Sequence, residues 1–187
     1  MRELLITDFT FEEVTILEKG NYEQCTFNQC DFSGLDLSQL KFSECTFKSC
    51  NFSQAIVHHT TFHEIKFLEC KLIGMPFENC KPLGLSFSFE SCVLNLSSFY
   101  QVKLKNTIFR NCQLLEVDFS EADLTGSSFD NCNLSQAIFD HSILEKVDFR
   151  SAYFYNIDPE INRIKKARFS LNGIKGLLNK YNIEIEL

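Results

Sequence analysis

Nine cysteines are the residues of this sequence most able to bind a metal ion or act as nucleophiles. Zinc sites need thiolates that converge on one ion, usually from pairs separated by two to four residues. The recurrent spacings here are 5 and 20 residues, which predict parallel stacks of thiols. We therefore expect buried free cysteines that pack as small hydrophobic side chains, without zinc and without disulfides. The nine are Cys25, Cys30, Cys45, Cys50, Cys70, Cys80, Cys92, Cys112 and Cys132.

The other residues with catalytic potential are three clustered histidines, His58, His59 and His63. We interpret them as solvated side chains at outward positions, with a surface metal site as the alternative. The motifs G-x-G-x-x-G, the P-loop, G-x-S-x-G and H-E-x-x-H are absent from the sequence. The sequence therefore predicts a protein that is not an enzyme and that has no cofactor and no metal.

The cysteines belong to a five-residue repeat, in which each cysteine lies two residues before a large central residue. Cys80 precedes Pro82 instead, at the place where a central residue would fall. Sixteen of the 20 Phe fall on central positions, if Phe87 in a break of the register is included. The first run of central residues is Tyr22, Phe27, Phe32, Leu37, Phe42, Phe47, Phe52, Val57, Phe62, Phe67, Leu72 and Phe77. The second run is Leu94, Phe99, Leu104, Phe109, Leu114, Phe119, Leu124, Phe129, Leu134, Phe139, Leu144, Phe149 and Phe154.

A period of five fits neither a helix nor a flat strand, but it fits a chain that turns a corner every five residues. Four such units close a square coil of twenty residues, and the sequence has this second period. Leu94, Leu114 and Leu134 recur at intervals of twenty, as do Phe109 and Phe129. We predict an all-β solenoid, a right-handed quadrilateral β-helix with four repeats per coil, over residues 1–157, with a register break at 80–93.

Residues 158–187 are predicted to cap the last coil and to form a dimer contact. Asp158 and Pro159 read as an N-cap and first position of a helical turn, and Ser170 as the cap of an α-helix over Leu171–Tyr181. The apolar residues Ile174, Leu177, Leu178 and Tyr181 would form one stripe of that helix, which we expect to contact a second copy. The alternating segment Ile183–Leu187 predicts a final strand. The alternative is that the stripe only covers the coil.

The charge pattern limits the classes of partner. A net charge of −7 and a pI near 5.1 argue against direct nucleic-acid binding, which needs a basic surface. The sequence has no signal peptide and no long apolar run, which predicts a cytoplasmic protein without a membrane segment. Residues 111–149 contain eight acidic residues and one Lys, and all eight avoid the inward positions. This acidic belt is Glu116, Asp118, Glu121, Asp123, Asp130, Asp140, Glu145 and Asp148.

Three segments resemble pentapeptide-repeat proteins. The stretch EKGNYEQCTFNQCDFSGLDLSQLKFSECTF (Glu18–Phe47) is similar to the N-terminal coils of the Qnr-type quinolone-resistance proteins. The break KPLGLSF (Lys81–Phe87) resembles their small irregular hinge. The tail DPEINRIKKARFSLNGIKGLLNKYNIEI resembles the C-terminal cap of their loopless and immunity-type relatives.

This resemblance implies a dimeric rod that mimics the shape and charge of duplex DNA. Its partner would be DNA gyrase or topoisomerase IV, with the acidic belt in the basic DNA-binding saddle. Drug-protecting members carry two loops, whereas this register breaks once, which favours binding or inhibition over quinolone protection. The alternative is a scaffolding solenoid with another protein partner, whose acidic residues serve solubility.

Overall fold

The computed structural model describes residues 4–184 and 186 and shows a parallel β-solenoid of about six turns. Eleven short strands lie in its described part. They are β1 (Leu4–Thr7), β2 (Thr10–Glu12), β3 (Gly20–Glu23), β4 (Thr26–Asn28), β5 (Lys41–Ser43), β6 (Thr46–Lys48), β7 (Thr61–His63), β8 (Ile65–Leu68), β9 (Phe87–Glu90), β10 (Ile108–Arg110) and β11 (Ser128–Asp130). One sheet has the order β1-β3-β5-β7, and the other has the order β11-β10-β9-β8-β6-β4-β2.

Four faces run along the rod, and we number them by their central residues. Face 1 contains Leu94, Leu114 and Leu134, and face 2 contains Phe99, Phe119 and Phe139. Face 3 contains Leu104, Leu124 and Leu144, and face 4 contains Phe109, Phe129 and Phe149. The longer sheet forms face 4, where Phe109 pairs with Phe129. Single parallel bridges join the coils elsewhere, for example Asp118 to Ile138 on face 2.

The core is built from the two inward positions of each repeat. The central phenylalanines stack along each column, as Phe109 and Phe129 do at 4.8 Å and 4° between ring planes. Opposite columns meet edge-to-face, as Phe119 and Phe129 do at 5.7 Å and 79°. Both arrangements suit the quadrupole of an aromatic ring. The prediction that the central residues point inward is confirmed for all of them except Phe154.

The second inward position holds mostly small side chains, and most of the Cys, Ser and Thr among them donate to backbone carbonyls. All nine cysteines are buried and free. The Cys45 Sγ donates to the carbonyl of Tyr22 at 3.3 Å, and the Thr60 Oγ1 donates to that of Leu37 at 2.8 Å. Burial raises the pKa of the Cys45 thiol to about 12, so the thiol stays neutral.

The outward corner of nearly every repeat has a left-handed backbone. Two residues after the central position, φ lies between about 50° and 70°, as at Gln101 and Glu121. A left-handed residue reverses the chain direction locally, so one per repeat produces the regular square turn. Gln, Asn, Glu, His and Gly occupy most of these corners.

The register break is shorter than predicted. Phe67 pairs with Phe89, 22 residues later, so the two additional residues lie between Cys80 and Phe87. The repeat has therefore resumed at Phe89, which stacks on Phe67 at 5.4 Å, and Phe87 takes the smaller inward position beside it. Counting Phe87 as a central residue was wrong, because the pairing of β8 with β9 sets the register.

The prediction for Phe154 was also wrong, because this side chain is 71% exposed. A left-handed φ of 62° at Phe154 turns the chain two residues early. Tyr155 consequently points inward, and its ring lies 5.6 Å from Phe149. Parallel bridges then continue to Arg163 and Arg168, so that Phe169 stacks on Phe149 at 5.3 Å.

The cap contains 3₁₀ turns at Ile174–Leu177 and Asn179–Tyr181 where an α-helix was predicted. A further 3₁₀ turn covers Phe77–Asn79. Two glycines within the predicted helix weaken it, each by about 1 kcal/mol relative to Ala. Gly173 and Gly176 also lie so close to Tyr155 that a Cβ at either position would collide with it.

Of the features predicted for the cap, the two capping side chains accept hydrogen bonds, whereas the final strand is not observed at Ile183 and Glu184. The Ser170 Oγ accepts a hydrogen bond from the Gly173 N–H at 3.1 Å, and the Asp158 Oδ1 accepts one from Glu160 at 2.8 Å. Ile183 and Glu184 are not in a strand, and Ile185 and Leu187 of that predicted strand lie outside the described residues. In the described part of the chain, no helix is long and apolar enough to cross a bilayer.

Candidate protein-binding face

The acidic belt encircles the rod. Each of its residues occupies an outward position of a repeat, and none belongs to the buried core. Glu116 lies at the corner that ends a repeat of face 1, and Glu121 at the corner that ends the next repeat, on face 2. Asp118 and Asp140 also lie on face 2, Asp123 and Glu145 on face 3, and Asp130 and Asp148 on face 4. A partner that contacts one side of the rod would therefore meet only part of the belt.

The belt residues of face 3 are neutralised by cations of neighbouring coils. Lys105 pairs with Asp123 at 3.1 Å, and Arg163 pairs with Glu145 at 2.6 Å. Burial opposes ionisation of Asp123, but hydrogen bonds from Thr125 and Lys105 outweigh it and lower the pKa. Asp123 therefore stays ionised, and the two ion pairs leave little net charge on this face.

Face 4 shows the same compensation. Arg110 pairs with Asp130 at 3.4 Å, and Arg150 and Arg168 contact Asp148 at 2.8 and 2.9 Å. The hydrogen bond from Arg150 lowers the pKa of the Asp148 carboxyl. Asp148 therefore forms ion pairs with two guanidinium groups.

The belt residues of face 2 differ, because they make no ion pair among residues 4–184 and 186. Glu121 instead accepts hydrogen bonds from the Tyr100 hydroxyl at 3.1 Å and the Gln101 amide at 2.8 Å. The bond to Glu121 raises the pKa of Tyr100. Asp118 accepts from the Ser120 N–H at 2.8 Å. Neutral donors fix these carboxylates and leave their charge uncompensated.

Face 2 also lacks cationic residues over most of its length. Its repeats at 35–39, 55–59, 75–79, 97–101, 117–121, 137–141 and 157–161 contain no Lys and no Arg. Their acidic residues are Asp36, Glu78, Asp118, Glu121, Asp140, Asp158 and Glu160. Within the part of the chain that the structure describes, ion pairs reach only the last of these repeats, where Lys180 of the cap lies 2.7 Å from Asp158 and 2.6 Å from Glu160.

Sequence reasoning missed Asp36 and Glu78, because it grouped charges by position along the chain. Arranging the repeats into four columns, with the two-residue shift after Cys80, would have placed both residues on the face of Asp118. The same columns place His58 and His59 on face 2 and His63 on face 3, where it contacts the Gly84 carbonyl at 3.1 Å. Within the described residues, no group of three or more His, Cys, Asp or Glu is arranged to hold a metal ion.

Apolar side chains are interleaved with the acids of face 2. Ile56, Tyr100 and Ile138 are each exposed by about two fifths or more. Ile138 is bridged to Asp118 on the neighbouring coil. Fixed carboxylates around exposed apolar groups are suited to contact with a protein surface.

The amino-acid sequence matches the family model described as the pentapeptide repeat region over residues 21–88 and 85–158. Together these matches cover most of the 187 residues. The chain belongs to the pentapeptide-repeat family. Comparison with curated proteins gives no match.

Solved structures of a pentapeptide-repeat protein share the fold. Full-length QnrB1, a plasmid-mediated fluoroquinolone resistance protein, is 18% identical, with a TM-score of 0.51 over 96% of this chain and 100% of QnrB1. A trypsin-treated QnrB1 variant is 19% identical, with a TM-score of 0.53 over 100% of both chains. At these identities the likeness establishes the fold.

The predicted dimer residues lie in the cap of this pentapeptide-repeat rod. Ile174 and Tyr181 are about half exposed, whereas Leu177 packs partly against the core. Leu178 is partly buried between the two 3₁₀ turns. The Tyr181 hydroxyl donates to Glu160 at 2.7 Å and so ties the cap to face 2. The structure therefore presents Ile174 and Tyr181 outward at one end of the rod.

Proposed function

We propose that this pentapeptide-repeat protein is a non-enzymatic DNA mimic that binds a type II topoisomerase, DNA gyrase or topoisomerase IV, through face 2. Binding would place the acids of face 2 in the basic saddle that normally holds duplex DNA, and would inhibit or modulate the enzyme. The observation that carries the proposal is the absence of Lys and Arg from face 2 between residues 35 and 161. The opposing face has paired charges.

The shape of the rod supports this proposal. The seven stacked repeats of face 2, each about 4.8 Å from the next, give it a length of about 30 Å, which corresponds to roughly nine base pairs of duplex DNA. Stacked aromatic rings and parallel bridges hold the coils in register, so the carboxylates are fixed before binding. Fixed negative charge on a rigid body attracts a basic cleft over long distances and raises the association rate.

We propose inhibition, and not drug protection, as the primary effect. The resemblance implies two loops in the drug-protecting members, whereas between Tyr22 and Phe149 the coils of this chain contain one insertion, of two residues after Cys80. Resistance to quinolones or to a topoisomerase toxin would follow only if occupation of the saddle also displaced those agents.

We also propose that the cap mediates a homodimer. The C-terminal part of the chain exposes several large apolar side chains that a dimer contact could bury. They are Phe154, Leu171, Ile174, Tyr181 and Ile183. A dimer formed through the caps would join two rods at their C-terminal ends, with the acidic face of each rod next to this contact. Such an arrangement would extend the imitation of duplex DNA.

The test replaces the three unpaired belt acids of face 2 by their amides, as Asp118→Asn, Glu121→Gln and Asp140→Asn together. The amides keep the hydrogen-bond acceptors, so the corners should remain folded. We expect the unmodified protein to inhibit gyrase supercoiling in competition with DNA, less strongly as salt rises. The triple variant should lose at least tenfold in inhibition.

The matched control is Asp123→Asn, Asp130→Asn and Glu145→Gln, which changes the net charge equally on faces 3 and 4. We expect this variant to inhibit nearly as well as the unmodified protein. Equal losses in both triples would mean that net charge alone matters, which contradicts the role of face 2. If the unmodified protein neither inhibits nor binds either topoisomerase, the scaffold hypothesis replaces this proposal.

A further inference from the structure

A cluster of cations spans faces 3 and 4, on both sides of the edge where these faces meet, at the C-terminal end of the rod. We call it the cationic edge. Its members are all exposed and come from two adjacent coils, which the bridges Ile143 to Arg163 and Asp148 to Arg168 hold together. The cationic edge consists of Lys146, Arg150, Arg163, Lys165, Lys166 and Arg168.

The two acids within this region lie beneath the cations. The side chains of Glu145 and Asp148 are only 25% and 20% exposed, whereas their three arginine partners are 57–66% exposed. A ligand approaching the edge would therefore meet guanidinium groups first. Each pair also restrains the arginine side chain, so less conformational entropy is lost when the guanidinium binds an anion.

The three lysines of the edge have no anionic partner within the described part of the chain. Lys146 and Lys166 occupy left-handed corners with φ near 60°, one coil apart, and therefore project from the edge. The Lys146 N–H donates to the Lys165 carbonyl at 3.0 Å, which keeps the two corners in register. These lysines form a fixed row of uncompensated positive charge.

The cationic edge lies diagonally across the rod from the edge between faces 1 and 2, where Glu116 and Asp118 are located. The charges are therefore separated across the rod, although the chain as a whole carries −7. Net charge predicts no nucleic-acid partner, but it averages over two surfaces of opposite sign. A ligand smaller than the circumference of the rod responds to the local charge.

The chemistry of the edge favours phosphate over a protein partner. None of the exposed large apolar residues among those described lies within 142–151 or 162–169. Protein–protein interfaces are centred on apolar and aromatic side chains, whereas nucleic-acid interfaces are polar and strongly positive. The cationic edge has the second composition, and face 2 has features of the first.

We infer that the cationic edge binds the phosphate backbone of duplex DNA, independently of sequence. Arg150, Arg163 and Arg168 would offer planar guanidinium donors to phosphate oxygens, and the lysines would act as point charges. The inference does not depend on the proposed function, because the edge and face 2 share no residue. One rod could then contact a basic protein surface and DNA on different sides.

The test measures binding of the full-length chain to a fluorescent 20-base-pair duplex by anisotropy, between 20 and 200 mM salt. We expect the logarithm of the affinity to fall linearly with the logarithm of the salt concentration. The variant Lys146→Gln, Lys165→Gln and Lys166→Gln should reduce that slope by about 2 to 3 and the affinity at 50 mM salt by about tenfold. A second duplex of unrelated sequence should bind equally.

The matched control is Lys48→Gln, Lys66→Gln and Lys71→Gln, which removes the same charge from the N-terminal half of the rod. It should bind DNA like the unmodified protein, and both variants should keep its unfolding midpoint. Absence of binding at 20 mM salt, or equal losses in both variants, would overturn the inference. A third result would also overturn it: the edge variant keeps its DNA binding but changes its molecular mass in light scattering. The edge would then be a contact with a second copy of the chain.

Discussion

At the residue scale, each repeat points two side chains into the core and three toward solvent. The central residue supplies volume, and the residue two before it is usually small. Where that residue is polar, its side chain can donate to a carbonyl of the coil below, as Thr60 and Ser127 do. Cysteine fits this position because it is small and tolerates burial. The nine thiols are therefore explained by packing, and the outward positions are free to vary in charge.

The core assignment predicts a large effect at Phe129. This ring stacks on Phe109 at 4.8 Å and on Phe149 at 5.1 Å, and it is fully buried. Phe129→Ala should lower the free energy of unfolding by about 3–5 kcal/mol, because its neighbours cannot collapse into the cavity. Urea denaturation followed by fluorescence or circular dichroism measures this change.

The control is Phe154→Ala, which removes an equal volume from an exposed side chain. We expect it to change the free energy of unfolding by less than about 1 kcal/mol. Similar losses in the two variants would contradict the assignment of inward and outward positions. An unchanged midpoint in Phe129→Ala would do the same.

At the scale of elements, the regular coils and the cap are determined differently. A coil repeats one local conformation, so periodic sequence specifies it, and it tolerates two additional residues at 81–86 because neighbouring strands restore the register. The cap is irregular and depends on specific contacts with the last coil. The Ile157 N–H donates to the Gly176 carbonyl at 2.9 Å, and both cap glycines approach Tyr155.

The close contact predicts that Gly176→Ala destabilises the cap. The added Cβ would collide with the Tyr155 carbonyl oxygen, and backbone cannot move aside as a flexible side chain can. We expect a loss of about 1–3 kcal/mol in the free energy of unfolding. Asn172→Ala, at an exposed position of the same cap, is the control and should have little effect. A neutral Gly176→Ala variant would show that the cap does not pack on Tyr155 as described.

At the scale of the whole molecule, charge and apolar surface are segregated. Face 2 carries uncompensated acids, the cationic edge carries uncompensated lysines, and the C-terminal end carries exposed apolar residues. Each surface fits a different type of contact. A rigid rod keeps these surfaces at fixed distances from one another, because neighbouring coils cannot rotate without breaking the parallel bridges.

The proposed dimer is tested at this scale. Light scattering of the intact chain should give about twice the 21.7 kDa mass of one copy. Ile174→Asp should shift the protein to the monomer, because a buried unpaired carboxylate at an interface is strongly unfavourable. Leu83→Asp places the same change on an exposed residue of the register break and should leave the dimer intact. A monomeric unmodified protein would rule the dimer out.

The sequence by itself determined the solenoid, the inward positions and the free thiols, because a strict local repeat has one compact solution in which every coil buries its neighbour. It did not determine the ends of that pattern. The inward turn of Tyr155 and the central place of Phe89 arise from contacts between coils, and no local preference at those residues predicts them. The 3₁₀ turns of the cap reflect both the low helix propensity of Gly173 and Gly176 and their close approach to Tyr155. The distribution of charge was likewise decided by tertiary structure. Residues twenty apart share a face and residues five apart do not, so Asp118 and Asp140 remain unpaired on face 2 while Asp123 and Asp148 meet cations from neighbouring coils.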